Sequence, residues 1–154
     1  MREAGPSGWA FEEFGQASIV DRRWRRRLVS VAARVARRPA GRVTETFTRS
    51  AERQGAYGLL ESKAVSAQEV GQAMFEACAR RSADQKFVYC PIDGTSLSLA
   101  DGKRSKGFGP VGSRASGGRG LKVMNAMVLS GEGVPLGLSS PEPVNENETA
   151  MGRV

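Results

Sequence analysis

Asp93 stands at the end of an apolar run, Phe87-Val88-Tyr89-Cys90-Pro91-Ile92, and Gly94-Thr95-Ser96 follows it. A carboxylate at a strand end beside a glycine is a place where a hard cation such as Mg²⁺ finds oxygen ligands. Asp-Gly is also a preferred two-residue hairpin turn, and spacing alone favours a turn joining two strands. A second cluster, Gly107-Phe108-Gly109-Pro110-Val111-Gly112, satisfies a GxGxxG pattern. A dinucleotide loop of that type needs a strand directly before it and a helix directly after. Here Lys103-Arg104-Ser105-Lys106 precedes it and a Gly- and Ser-rich stretch runs on to Gly120, so the glycines predict a loop between strands. Lys103, Arg104, Lys106, Arg114 and Arg119 give that loop a charge suited to phosphates.

The third set of residues is a block of arginines. The 154-residue chain carries 23 Lys+Arg against 16 Asp+Glu, a net +7. Most of the surplus lies in residues 21–53, where eleven Arg face only Asp21, Glu45 and Glu52, a local +8. Such a compact basic block suits a polyanion, most often nucleic acid. Asp21 is a good N-cap, and Arg37-Arg38-Pro39 with Gly41 a good stop, which predicts a helix over 22–38. Trp24, Leu28, Val31 and Val35 recur on it at helical spacing. Arg23, Arg27, Arg34 and Arg38 form a row beside that stripe, with Arg22, Arg26 and Arg37 further round and Arg25 on the other flank. A solvated face normally mixes signs at i,i+4. This one is almost purely positive, which fits phosphates supplying the missing charge.

Composition excludes much else. There is no His, which removes Ser-His-Asp and Cys-His nucleophiles and HExxH zinc sites. Two cysteines, Cys78 and Cys90, cannot form a thiolate zinc site or a disulfide framework. No run of 18 apolar residues and no apolar N-terminal segment occurs, so the expectation is a cytoplasmic protein with no membrane partner.

The elements that position these groups fall into two kinds. Residues 1–84 read as helical: 22–38, then an ambiguous β-branched stretch at Val43–Phe47 that is compatible with a short extended link, then a weaker helix over 48–62 containing Arg53, Gln54 and Tyr57. Ser66 and Glu69 make a capping box for a third helix to about Arg81, with Val70, Met74 and Ala77 on one face. Residues 86–138 read as antiparallel strands at Phe87–Ile92, Thr95–Leu99, Leu121–Leu129 and Val134–Leu138. Residues 139–154 read as an unstructured tail. The fold class is therefore α+β.

Several separated segments then resemble one family. Trp9-Ala10, Glu13-Phe14-Gly15, Asp21-Arg22-Arg23 and Arg27-Leu28-Val29 resemble the start of bacterial insertion-sequence transposases of the Asp-Asp-Glu type. Arg53-Gln54-Gly55-Ala56-Tyr57, Leu60-Glu61 and Val65-Ser66 are similar to the same family's helical DNA-binding domain. Ile92-Asp93-Gly94-Thr95-Ser96-Leu97-Ser98 looks like its first catalytic strand and turn, and Gly107, Gly109, Val111-Gly112 and Val134–Leu138 continue the likeness. The resemblance implies a helical domain, 1–84, that grips transposon-end double-stranded DNA. It implies the first strands of an RNase H-like domain, 86–138, in which carboxylates hold two Mg²⁺ or Mn²⁺ ions for cut-and-paste transposition. Asp93 would be the first catalytic, metal-holding carboxylate. Arg22, Arg23, Arg26, Arg27, Arg34, Arg38, Arg53, Gln54 and Tyr57 would lie in the DNA-contacting region. The family's further partners would be a second copy or a full-length transposase. After Leu138 the sequence departs from the family's pattern, and Glu142, Glu146 and Glu148 are not placed to complete a site with Asp93. The expectation is an N-terminal transposase portion that binds DNA and is inactive alone. A basic structural RNA-binding protein is the alternative.

Overall fold

The computed structural model describes residues 5–100, 107–112 and 118–139. The chain divides into two units, Met1–Ala83 and Asp84–Val154, with helices in the first and an antiparallel sheet in the second.

The first unit carries α1 (Pro6–Phe14), α2 (Arg22–Arg37), α3 (Val43–Thr46), α4 (Ser50–Leu60) and α5 (Ala67–Ser82). Helix α1 begins with proline at its first position, where the missing N–H costs nothing. At its end the Gly15 N–H donates to the Phe11 carbonyl at 2.8 Å. Helix α2 starts where expected: the Asp21 carboxylate accepts from the Arg23 backbone N–H at 2.8 Å. Its end is marked by Arg38 N–H donating to Val35 and Gly41 N–H to Arg38, both at 2.9 Å. The ambiguous stretch at Val43–Phe47 resolves into helix α3 rather than an extended link. The Glu45 carboxylate reaches back to the Arg42 N–H at 3.2 Å, and that local bond outweighs the β-preference of Val43 and Thr44. Helix α4 is narrower than 48–62, and α5 opens with the expected reciprocal box. There Ser66 Oγ accepts from Glu69 N–H at 3.0 Å, and Glu69 Oε2 accepts from Ser66 N–H at 2.8 Å.

The core of this unit gathers Phe14, Ala17, Ile19, Leu28, Leu59 and Ala73, with Trp24, Val29, Val31, Ala32, Val65, Val70 and Met74 packed round it. Helix α2 therefore buries a broader face than a narrow stripe would require, while Val35 is 43% exposed and off the core. A charged clamp joins α1 to α5. Glu13, 5% exposed, pairs with Arg81 at 2.8 Å, and Arg80 donates to the Glu12 carbonyl at 3.0 Å.

The second unit carries β1 (Val88–Tyr89), β2 (Ile92–Ser98), β3 (Gly109–Pro110), β4 (Arg119–Ser130) and β5 (Pro135–Ser139). All four others pair with β4 in antiparallel sense. From Val88↔Ser130 through Ile92↔Ala126 to Ser98↔Gly120 the register against β4 never slips. Strands β1 and β2 are thus one strand interrupted at Cys90-Pro91, because proline has no N–H to give the ladder. Across the break the Pro91 carbonyl still accepts from Met127 N–H at 3.1 Å. Ala126 and Leu129 pair with β1/β2 on one edge and with β5 on the other, so β4 is the middle strand. Gly120 is required there, since an added Cβ would collide with the Leu97 carbonyl.

Three expectations are corrected here. Asp93-Gly94 is no hairpin turn but sits inside β2, paired with Asn125 and Met124. The stretch 101–120 is not wholly loop, since Gly109-Pro110 pairs with Gly120-Arg119; residues 101–106 and 113–117 lie outside the described residues. Ser139 ends β5 rather than opening a tail, and 140–154 also lie outside them.

The clamp and caps set two expected outcomes. Arg81→Ala leaves the Glu13 carboxylate buried without its counter-charge, which lowers the unfolding free energy by about 3 kcal/mol in urea titrations. The Asp21 carboxyl is held below the usual carboxylate range by its hydrogen bonds from Arg23, and that of Glu69 by those from Ser66. Both caps therefore contribute in full above that range and are lost as pH falls through it and below. Helix content followed by circular dichroism during acid titration should drop there, and Asp21→Asn with Glu69→Gln should weaken that dependence.

Candidate nucleic-acid interface

On α2 the solvent-exposed arc carries Arg22, Arg23, Arg26, Arg27, Ser30 and Arg37. At about 100° per residue these positions share one side of the helix, opposite Leu28. No acidic residue lies in the first turn of α2, and the positive end of its dipole lies under Arg22 and Arg23. Both features raise the potential at one place.

The arginines expected to contact DNA fall into two groups. Arg22 and Arg26 line a cleft of about 400 Å³ together with Phe11, Gln16, Arg25 and Val29. Arg23, 89% exposed at its side chain, pairs with Asp21 at 2.9 Å. A pair so open to water holds weakly, so its guanidinium remains available to a phosphate. Arg27 lies 5.5 Å from the centre of the Trp24 ring, a cation–π distance, and passes close to Gly55 of α4. The ring fixes the direction in which that charge points.

The others are engaged within the unit. Arg34 donates to Glu52 Oε1 at 2.6 Å, joining α2 to α4. Glu52 Oε2 is buried and has no hydrogen-bond partner, so Arg34 is its source of compensation among the described residues. Arg38 donates to the Glu45 carbonyl at 3.0 Å. Arg53 donates to the carbonyls of Phe47 and Thr48 at 3.2 and 2.7 Å, closing the turn that leads into α4. Gln54 and Tyr57 share the outer face of α4 and are exposed, Tyr57 by 44%. In the sheet, Asp93 is exposed on β2 with Asn125 directly across. Among the described residues no group of three His, Cys, Asp or Glu side chains comes together to hold a metal. Lys103, Arg104, Lys106 and Arg114 lie outside the described residues, whereas Arg119 donates to the Phe108 carbonyl.

Sequence reasoning overlooked Phe11 and Gln16, which stand beside the arginine arc, and placed Arg25 away from it. Arg25 lines the same cleft while reaching the Ala17 carbonyl at 3.5 Å. The missing signal was α1 itself, whose proline start and glycine end mark a helix carrying Phe11 outward.

Residues 6–65 match the family described as transposase DNA-binding. The matched segment runs from the start of α1 to the loop before α5 and contains every arginine of the α2 arc. It supports a transposase DNA-binding domain in this part of the chain and points to DNA as its partner. No curated protein matches the chain. Among the described residues no helix is long and apolar enough to cross a membrane.

The division of the arginines is measurable in stability. Arg34→Ala should cost about 1–2 kcal/mol, since Glu52 loses its partner while half-buried. Arg22→Ala with Arg26→Ala should leave stability unchanged or slightly raised at low salt, because like-charge repulsion falls. Thermal melts at two salt concentrations check both outcomes.

Proposed function

We propose that the helical unit binds the duplex DNA ends of a transposon, with the exposed arc of α2 laid against the phosphate backbone. The observation that carries this is an exposed helical face with five arginines and no acidic residue, inside a segment that matches the transposase DNA-binding family. Arg22, Arg23, Arg26 and Arg27 make the phosphate contacts, each displacing counterions. Gln54 and Tyr57, projecting from α4, are the groups suited to base edges: an amide pairs with adenine and a phenol gives or takes one hydrogen bond. Arg34, Arg38 and Arg53 hold α2, α3 and α4 in the arrangement that presents them. Contacts to sugar and phosphate fix register, and base contacts supply sequence choice.

For the second unit we infer the opening strands of an RNase H-like catalytic domain of the Asp-Asp-Glu type. Support comes from Asp93 standing in a strand paired with a long antiparallel neighbour, its carboxylate in solvent. A two-ion centre that takes Mg²⁺ or Mn²⁺ requires several oxygen ligands. Asp93 with Asn125 across from it does not make up that set, so these residues alone do not assemble the centre. The proposal keeps a second copy of the chain or a full-length transposase as a partner on the DNA, and this chain by itself as inactive in strand cleavage.

Fluorescence anisotropy with a labelled transposon-end duplex over a salt series tests the DNA reading. Affinity should fall steeply with salt, and Arg23→Ala with Arg27→Ala should reduce the log–log slope by roughly 2. An unchanged slope would remove α2 from the DNA. Preference for structured RNA over duplex in direct competition would favour a basic RNA-binding protein instead.

A further inference from the structure

Phe11 is an anomaly on a charged surface. It lies on the outer side of α1 with 62% of its surface in water, although the core is close by. Its ring rests against Gly15, where an added Cβ would come within 3.1 Å of two ring carbons, so the lack of a side chain there lets the ring lie flat along the end of α1. Two clefts open on either side of it, about 400 and 410 Å³ in volume, and both include Phe11 and Gln16 in their walls. Arg22, Arg25 and Arg26 border one, and Glu12, Ala77, Arg80 and Arg81 border the other, where Arg80 donates to the Glu12 carbonyl and Arg81 pairs with Glu13. The aromatic face and the exposed amide of Gln16 thus form a ridge with the open cations Arg22 and Arg26 on its α2 side.

A paired duplex uses only the cations of such a surface, because its bases are stacked inside. An unpaired nucleotide uses all of it. Its base has a π face to lay on Phe11 and a polar edge for Gln16, and a flanking phosphate meets Arg22 and Arg26. Base–aromatic stacking of this kind is tolerant of sequence. The rest of the first cleft's wall is Gly15 and Val29, neither of which brings a charge to a phosphate.

We propose that the Phe11–Gln16 ridge is a site for a single unpaired nucleotide, flipped out or protruding from the bound DNA. The site rests on the duplex-binding reading and extends it, since a strand already held along α2 brings its nucleotides beside α1. Phe11 is the stacking platform, Gln16 reads the base edge, and Arg22 and Arg26 hold a flanking phosphate.

The test uses the full chain and three duplexes of equal length. One is fully paired, one carries a single unpaired thymidine, and one carries an unpaired abasic residue at the same position. The wild-type chain should bind the unpaired thymidine at least about fivefold more tightly than the abasic probe. Phe11→Ala should equalise the two and leave the fully paired duplex bound within about twofold, while Phe11→Tyr should keep the preference. Replacing the thymidine by 2-aminopurine should give fluorescence quenching on binding with wild type and none with Phe11→Ala. Phe11 lies outside the buried core, and unchanged circular dichroism of the variants confirms that the readout is not unfolding. Equal affinity for thymidine and abasic probes, with paired-duplex binding intact, would overturn the nucleotide site alone. Retention of the preference in Phe11→Ala would do the same. Failure of wild type to bind any of the three would overturn the duplex-binding reading beneath it.

Discussion

Seven arginines on the sixteen residues of α2 repel one another, and the architecture of the first unit is organised around holding that helix together. Several of them lie in its first turns, where the helix dipole already disfavours positive charge. Apolar burial on the opposite side, by Leu28, Ala33 and the partly buried Trp24, Val29, Val31 and Ala32, offsets the repulsion. The local acids are few and placed with economy: Asp21 caps the start, and Glu52 takes Arg34 across to α4. Backbone carbonyls of Ala17 and Glu45 take up Arg25 and Arg38. What remains in solvent is a concentrated positive arc, and its charge is relieved when an anion binds. A helix built this way is stabilised by its ligand.

Much of the first unit could be read from its sequence. Asp21, Ser66 and Glu69 announced two helix starts, because a cap is a short-range bond encoded within four residues. The apolar periodicity of 22–38 was equally plain, although it suggested a stripe ending at Val35 where the structure buries Ala33 instead. The partners of the arginines were not legible. Whether Arg34 meets a phosphate or Glu52 depends on the packing of α4 against α2, and the two residues are 18 apart in sequence. Charge pattern gives the face; only tertiary contact separates the free cations from the tied ones.

In the sheet the sequence misled at one dipeptide. Asp-Gly is a strong local turn signal, but the long strand β4 offers Asp93 and Gly94 unbroken partners, and seven paired residues of β2 outweigh one turn preference. The actual interruption falls at Pro91, where the chain has no N–H to donate. Gly94 is used for closeness instead: a side chain there would press on the Met124 sulfur at 2.9 Å. Asp93 thereby ends on a regular strand, with its direction fixed by the pleat and its neighbour Asn125 by the register.

The central claim is that the arginines divide into a set left free for phosphates and a set consumed by the fold. Arginine side-chain Nε–Hε resonances, followed by NMR while the full chain is titrated with a transposon-end duplex, observe each guanidinium directly. The account predicts that Arg22, Arg23, Arg26 and Arg27 shift or gain protection as DNA is added, while Arg34, Arg38 and Arg53 keep their free-state positions. Large shifts at Arg34 and Arg53 with none along the α2 arc would contradict it.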